Sequence, residues 1–437
     1  MRIARFRGFE KIRSKTKHTL IVGISGYGKG MQGEWYIPKF VTKGFKVLDL
    51  NSQSRGEGMY YGIPNDDTNL HKRIGFLSGG AFKPQGYGND IVMFLGTRLG
   101  DLTRLPENVR VCVFNEAWLT NDDLKYFLAI NDSQEAFMEA FFEMHANVRI
   151  PLRYFVDFMK KAAFDKRGHE WQALMQWGLT HHGTIAALKK RAQWLLRSGI
   201  FHNEAKDIPA YFNFLDLNDV LKIQSKITSF STYLIRDDFI RDVCIYMLLK
   251  KFIELLESRK IFTPLLFYMR EGGDFFMRGR DTAYLNEIKN MISLLLRKGR
   301  SLGGAEITMV MDTQYPSDLP DHVFNGFNKI IAFNTSTSES KRFLRKCEIP
   351  MLYLARLSSA KVGMYMYIAS GQFRYPLLAL PTLHKKSDPS YDVFGYLGGK
   401  YGWRNYEESM FISILLHPQQ EMSEFVVPAR YYAKSTA

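Results

Sequence analysis

Cysteine is scarce: Cys112, Cys244 and Cys347 are the only three in 437 residues, and they lie far apart. An odd number argues against a disulfide framework, and the spacing matches no metal-binding pattern. The expectation is a reducing compartment, the cytoplasm. A long apolar run is also missing. The best candidate, VCIYMLLKKFIELL at 243–256, is cut by Lys250 and Lys251. It is too short for a membrane span, and its apolar residues recur at the spacing of an amphipathic or buried helix. The first residues, MRIARFRGFEKIRSKTKH, are basic with no apolar segment behind them, so they do not read as a signal peptide. Internal repeats and low-complexity tracts are absent. Negative charge is in deficit: 59 Lys/Arg against 44 Asp/Glu leave a net charge of +15. Such an excess suits an anionic partner, nucleic acid or a phospholipid surface, or serves solubility alone.

What is present reads as a globular chain, with 46% hydrophobic and 24% charged residues. Residues 1–18 form a basic arm. TLIVG at 19–23 is a continuous apolar run, the pattern of a strand covered on both faces. A glycine-rich turn follows, then a helix over about 29–43, stopped at Lys43-Gly44. FKVLDLN at 45–51 is a second strand, which completes a βαβ unit. Residues 52–110, rich in Gly, Asn and Asp, read as loops with short strands. VRVCVFNEAW at 109–118 is another strand. The stretch 119–205 is mostly helical and reads as a subdomain inserted into an α/β core. The core resumes at 206–383. Its expected elements are strands at 211–217, 227–234, 306–314 and 328–334, helices at 235–258 and 282–299, and a strand-like pattern over 349–381. The tail, 384–437, has no assignment. The core's first part thus runs over 19–118.

The turn at 23–30 reads Gly-Ile-Ser-Gly-Tyr-Gly-Lys-Gly, which matches G-x-x-x-x-G-K but not the Ser/Thr that should follow. A strand delivers it and a helix leaves it, as phosphate binding requires. Glycines let the backbone N–H groups turn inward around an anion, and the helix N-terminus adds positive partial charge. Gly23, Ser25, Gly26, Tyr27, Gly28, Lys29, Gly30 and Met31 are therefore the candidate nucleotide-binding residues, with Lys29 reaching the β and γ phosphates of ATP. A hydroxyl at position 30 would sit on Mg²⁺, and Gly30 has none. FTPLLFYMREGGDFF at 262–276 carries a matching departure. An Asp at the end of such a strand would hold Mg²⁺, and Arg270 stands there instead. The next residue, Glu271, is placed to orient or deprotonate an attacking water. Either Mg²⁺ near Glu271 is held by water and phosphate with another carboxylate, or hydrolysis is impaired. Asp274, Asp49 and Glu116 are candidate replacements.

In their order, these motifs resemble the HerA/FtsK superfamily of P-loop DNA-pumping ATPases, which includes type IV secretion and conjugation ATPases and viral packaging motors. The resemblance covers about 19–58 and 211–381. Besides the loop and the strand ending in Glu271, it rests on LLLRKGRSLGG at 294–304 and on ITMVMDTQYPSDLPDHVFNGFNKIIAFN at 307–334. The resemblance implies a RecA-like P-loop NTPase core with a central, mostly parallel sheet. It implies Gln314 as a γ-phosphate sensor, and Arg300 with Arg297 reaching a neighbouring subunit's nucleotide. It implies further a homo-hexameric ring acting on double-stranded DNA with ATP and Mg²⁺, alongside secretion or virion partner proteins. A basic helix end beside the macrodipole accounts equally for both arginines. The variant positions also allow a nucleotide-binding subunit that no longer hydrolyses ATP.

Two other groups carry weaker signals. His169, His181 and His182, with Glu170, fit no zinc spacing and read as surface or capping residues. Lys189, Lys190, Arg191 and Arg197 suit DNA phosphates or a solvated face. Asn115-Glu116 reads as a strand edge before a helix capped at 120–123.

Overall fold

A computed structural model of the chain describes residues 18–51, 72, 86–87, 89–94, 109–204, 212–222, 226–232, 235, 237–258, 261, 263–277, 279, 281–298, 306–369 and 372–378. Residues 1–17, most of 52–108, the segment 299–305 with Arg300, and residues 379–437 lie outside them.

The strands are β1 (Thr19–Val22), β2 (Lys46–Asn51), β3 (Asn89–Phe94), β4 (Val109–Asn115), β5 (Phe201–His202), β6 (Phe212–Phe214), β7 (Ile227–Ser231), β8 (Leu265–Arg270), β9 (Ile307–Thr313), β10 (Lys329–Ala332), β11 (Met364–Ala369) and β12 (Gln372–Leu378). They form one sheet in the order β12-β11-β10-β1-β9-β8-β2-β7-β3-β4-β5, with β6 also on β4. Every pairing is parallel except β10–β11 and β11–β12 at one edge. The parallel α/β core expected from the sequence is therefore present. The βαβ reading of the first strands needs one refinement. The helix α1 (Lys29–Val41) crosses from β1 to β2, yet β9 and β8 lie between those two strands.

Alternation along the buried strands divides the apolar residues between two layers. Ile21, Val47, Leu266, Val310 and Ile331 face α1 and pack with its Tyr36, Ile37 and Phe40. Leu20, Val22, Leu48, Leu265, Phe267, Met309 and Met311 face the other way, into a larger core. That core also takes in the inserted helices α2 (Asn121–Leu128), α3 (Asp132–Met144), α4 (Leu152–Phe164), α5 (His169–Gln176) and α6 (His182–Ser198). Behind the sheet it is completed by α8 (Asp238–Glu257) and α9 (Ala283–Lys298), which follow the short α7 (Leu217–Lys222).

The helices that follow β4 begin with two local caps. The Asn115 side chain caps a short turn over Glu116–Trp118, and Thr120 with Asp123 forms a reciprocal capping box at the start of α2. Asp123 does more than cap. Its carboxylate accepts the Tyr246 hydroxyl at 2.7 Å and Lys250 Nζ at 2.5 Å, which pins the insertion to α8.

Three expectations are corrected. The strand expected over 211–217 stops at Phe214, because Asp216 takes the Asn218 N–H on its side chain and starts α7. The strand-like reading of 349–381 fails over its first part. Glu348 is left-handed, Pro350 follows, and the chain turns through Met351–Tyr353 into α12 (Leu354–Ser358), after α10 (Asp321–Phe324) and α11 (Thr337–Lys346). His18, the last residue of the expected basic arm, belongs to the core. It is buried, its ring accepts the Met309 N–H, and its carbonyl accepts those of Asn328 and Lys329.

Candidate nucleotide site

The glycine turn hangs from the carboxyl ends of two strands. Gly23 N–H donates to the Thr313 carbonyl at 3.2 Å, and Ile24 N–H to that of Asn334 at 2.8 Å. A Cβ on Gly23 would lie 2.8 Å from Phe333 Cβ, and its φ of +149° lies in the region that favours glycine. Gly26 (φ +87°) and Gly28 (φ +109°) carry the chain around the turn. A Cβ on Gly26 would meet nothing within 4 Å, so the turn borders open space there. Ser25 and Gly26 are exposed. The Tyr27 carbonyl accepts the Gly363 N–H, and the Gly28 carbonyl accepts that of Gln32 to open α1. Lys29 begins the helix with 7% of its surface exposed. Gly30 and Met31 continue its first turn.

Two further strand ends reach the same edge. Val22 pairs with Thr313, so Gln314, half-buried, stands one residue beyond, level with Gly23. Met269 pairs with Met311 on the other side of β9. Continuing that register sets Arg270 beside Asp312 and Glu271 beside Thr313. The chain then turns sharply. Glu271 is left-handed at φ +51°, and its N–H donates to the buried carboxylate of Asp312. Here Gly272 and Gly273 cross over β9. A Cβ on Gly272 would come within 2.7 Å of Met311 Cγ, and one on Gly273 within 2.0 Å of Thr313 Oγ1. Only glycines let the turn lie that close to β9.

Arg270 is held among buried carboxylates. It is 1% exposed, on the sheet face covered by α1. Its Nη2 lies 2.9 Å from Asp49 Oδ2, and its Nε 3.0 Å from Asp49 Oδ1, on the adjacent strand β2. Nη1 makes an ion pair at 2.9 Å with Oε1 of Glu34, off the hydrogen-bonding angle. The guanidinium also lies over the Tyr268 ring at 4.7 Å. The Tyr268 hydroxyl reaches Asp312 at 3.4 Å, and burial pushes its ionisation well above the usual range. A Cβ on Gly33 of α1 would stand 2.1 Å from that hydroxyl. A buried polar cluster thus ties the loop's helix to β2, β8 and β9. Sequence reasoning missed Glu34, Tyr268 and Asp312; the one signal was an Asp inside the apolar run MVMDT.

The residues present do not fit a magnesium site of the expected kind. Gly30 offers no hydroxyl, and Arg270 is a cation. Of the candidate replacements, Asp49 is spent on Arg270. Glu116 is buried four strands from β8, where its carboxylate accepts the Leu152 N–H at 2.5 Å. Asp274 is half-buried in the turn after Glu271. Among the described residues no three His, Cys, Asp or Glu side chains gather as a metal-binding group. Arg297 is exposed at the end of α9, with its Nε 3.4 Å from the Ser293 carbonyl, and Arg300 lies outside the described residues.

The other candidates stay apart from this edge. His181 caps α6 by accepting the Thr184 N–H, and His182 stacks on Trp171 at 4.9 Å. His169 opens α5, and Glu170 pairs with Lys161. Arg191 lies over the Phe239 ring at 5.3 Å, and burial lowers its pKa. Lys190 and Arg197 are exposed. No described helix is long and apolar enough to cross a membrane.

No family model matches the sequence, and no curated protein matches it. Solved structures do resemble it. One is VirB4 of Thermoanaerobacter pseudethanolicus, with 11% identity, 83% of this chain and 89% of that chain covered, and a TM-score of 0.45. A second is the plasmid coupling protein TrwB in complex with the ATP analogue ADPNP, with 11% identity, 86% and 87% covered, and a TM-score of 0.48. A third is the genome packaging NTPase B204 from Sulfolobus turreted icosahedral virus 2 in complex with ATP-gammaS. It has 9% identity, 84% and 98% covered, and a TM-score of 0.34.

Proposed function

We propose that the chain is an ATP-driven translocase of double-stranded DNA, of the HerA/FtsK type. It would act as a homo-hexameric ring in the cytoplasm, in genome packaging, conjugative transfer or DNA processing, beside secretion or virion proteins. One observation carries the nucleotide part of this reading. The glycine turn, Gln314 and Glu271 converge at the carboxyl edge of β1, β9 and β8, with β9 between the other two. Two strand spacings put Glu271 roughly 10 Å from the loop strand, room for a terminal phosphate and a water.

In this reading the loop amides and Lys29 hold the phosphates, at the positive end of α1. Glu271 holds the attacking water and takes its proton. Gln314 contacts the terminal phosphate through its amide. Arg300, with Arg297, reaches across to a neighbouring subunit's nucleotide, where a guanidinium offsets charge on the transferring phosphoryl group. Exposed Lys and Arg side chains grip DNA phosphates without reading sequence.

The test is steady-state ATP turnover, with and without duplex DNA, in wild type and Glu271→Gln. DNA-stimulated turnover that the variant loses by about 10²-fold or more supports the motor. Nucleotide binding without turnover in wild type points to the second reading, a switch or scaffold subunit. Gly30 and the sealed position of Arg270 favour that alternative.

A further inference from the structure

The buried cluster around Arg270 bears on how the site treats its metal, an argument that rests on the phosphate-loop reading. Asp49 and Glu34, both nearly inaccessible, carry two carboxylates into the sheet face under α1. A buried carboxylate is costly unless a cation or hydrogen-bond donors compensate it. Arg270 is that cation, held by Asp49 through three short approaches and by Glu34 through a fourth. The Arg at this position is therefore built into the fold. An Asp there would meet two other carboxylates and a third, Asp312, on the next strand. Asp312 is itself engaged, accepting from the Tyr268 hydroxyl and from the Glu271 N–H. On the loop side, position 30 is a glycine within the first helical turn. Both side-chain routes to a nucleotide-bound magnesium are closed, one by a missing hydroxyl and one by a guanidinium committed elsewhere.

We propose that this chain binds nucleoside triphosphate through its loop amides and Lys29 without giving magnesium a side-chain ligand at position 30 or 270, so that nucleotide affinity is nearly independent of divalent cation. The probe is a fluorescent ATP analogue titrated into the wild-type chain, once with millimolar Mg²⁺ and once with EDTA. The two Kd values are expected to differ by less than about fivefold. A larger loss in EDTA overturns the proposal and leaves the phosphate loop in place. No binding in either buffer overturns the phosphate-loop reading, and the proposal with it. Gly30→Ser restores a hydroxyl and is expected to raise the ratio of EDTA to Mg²⁺ Kd above that of wild type. An unchanged ratio in a folded, nucleotide-binding variant would overturn position 30 as the missing ligand.

Discussion

Nη2 of Arg270 sits 2.9 Å from Oδ2 of Asp49, two residues 221 positions apart in the chain and on adjacent parallel strands. Side chains two positions apart along a strand share a face, so Arg270 reaches back along β8 to the carboxylate opposite Tyr268. Glu34 approaches from the helix above.

Breaking this pair strands a buried charge. Asp49→Asn should lower the unfolding free energy by about 3–5 kcal/mol, measured by urea titration. Replacing Arg270, Asp49 and Glu34 together by Met and Leu should recover most of that loss, because a matched apolar set leaves no charge unpaired. A single variant within about 1 kcal/mol of wild type would contradict the ion-pair account.

Glu271 combines a costly backbone with a proposed chemical role. Its φ of +51° is unfavourable for a side chain by about 1–2 kcal/mol. Glu271→Gly should therefore keep or slightly raise thermal stability while abolishing turnover. Loss of stability together with turnover would mean that Glu271 acts through the fold and not on the water.

Gly273 has no room for a methyl group beside Thr313. Gly273→Ala should displace the turn, cost about 1–3 kcal/mol by overpacking and lower turnover by moving Glu271. Calorimetric Tm and ATP turnover falling together would support this. An unchanged Tm would argue against the close approach.

The insertion is anchored through Asp123. Asp123→Ala removes one half of the capping box of α2, the acceptor of the Thr120 N–H, together with the partner of Tyr246 and Lys250. Hydrogen exchange should speed up across α2 and the adjoining turn, by the equivalent of about 2 kcal/mol, and leave β1 and β9 unaffected.

Alkali should unfold the chain early. Burial pushes the Cys347 thiol up to about 12 from a usual 9.0, and raises Cys244, Tyr246 and Tyr268 further still. Each group loses its proton more readily when unfolded. Its contribution is whole below the unfolded pKa and is lost as pH rises towards the folded value. Urea midpoints should be flat to about pH 8 and fall above pH 9. Cys347→Ala should make that fall shallower.

Much of the site was legible because it is local in sequence. Gly23 to Lys29 is one contiguous turn between a strand and a helix, and the Thr120–Asp123 cap is read from four adjacent residues. The role of Arg270 was not legible. Its partners come from α1 and β2, and nothing in REGG names them. Arg270 looked like a substitution at a metal position; the structure makes it the counter-ion of two carboxylates. Likewise the expected strand at 349–363 failed because a left-handed Glu348 and Pro350 redirect the chain before the alternation resumes.

The sequence by itself determined the alternation of buried strands and helices, the glycine turn and the polar residues that end each strand. These follow from propensity, periodicity and backbone sterics, which act over a few residues. Only the tertiary structure decided that β9 and β8 lie between β1 and β2, that two glycines press the turn after Glu271 onto β9, and that Arg270 is sealed beneath α1. Those outcomes depend on pairing between distant segments and on the need to neutralise buried charge, and neither is written in any local pattern.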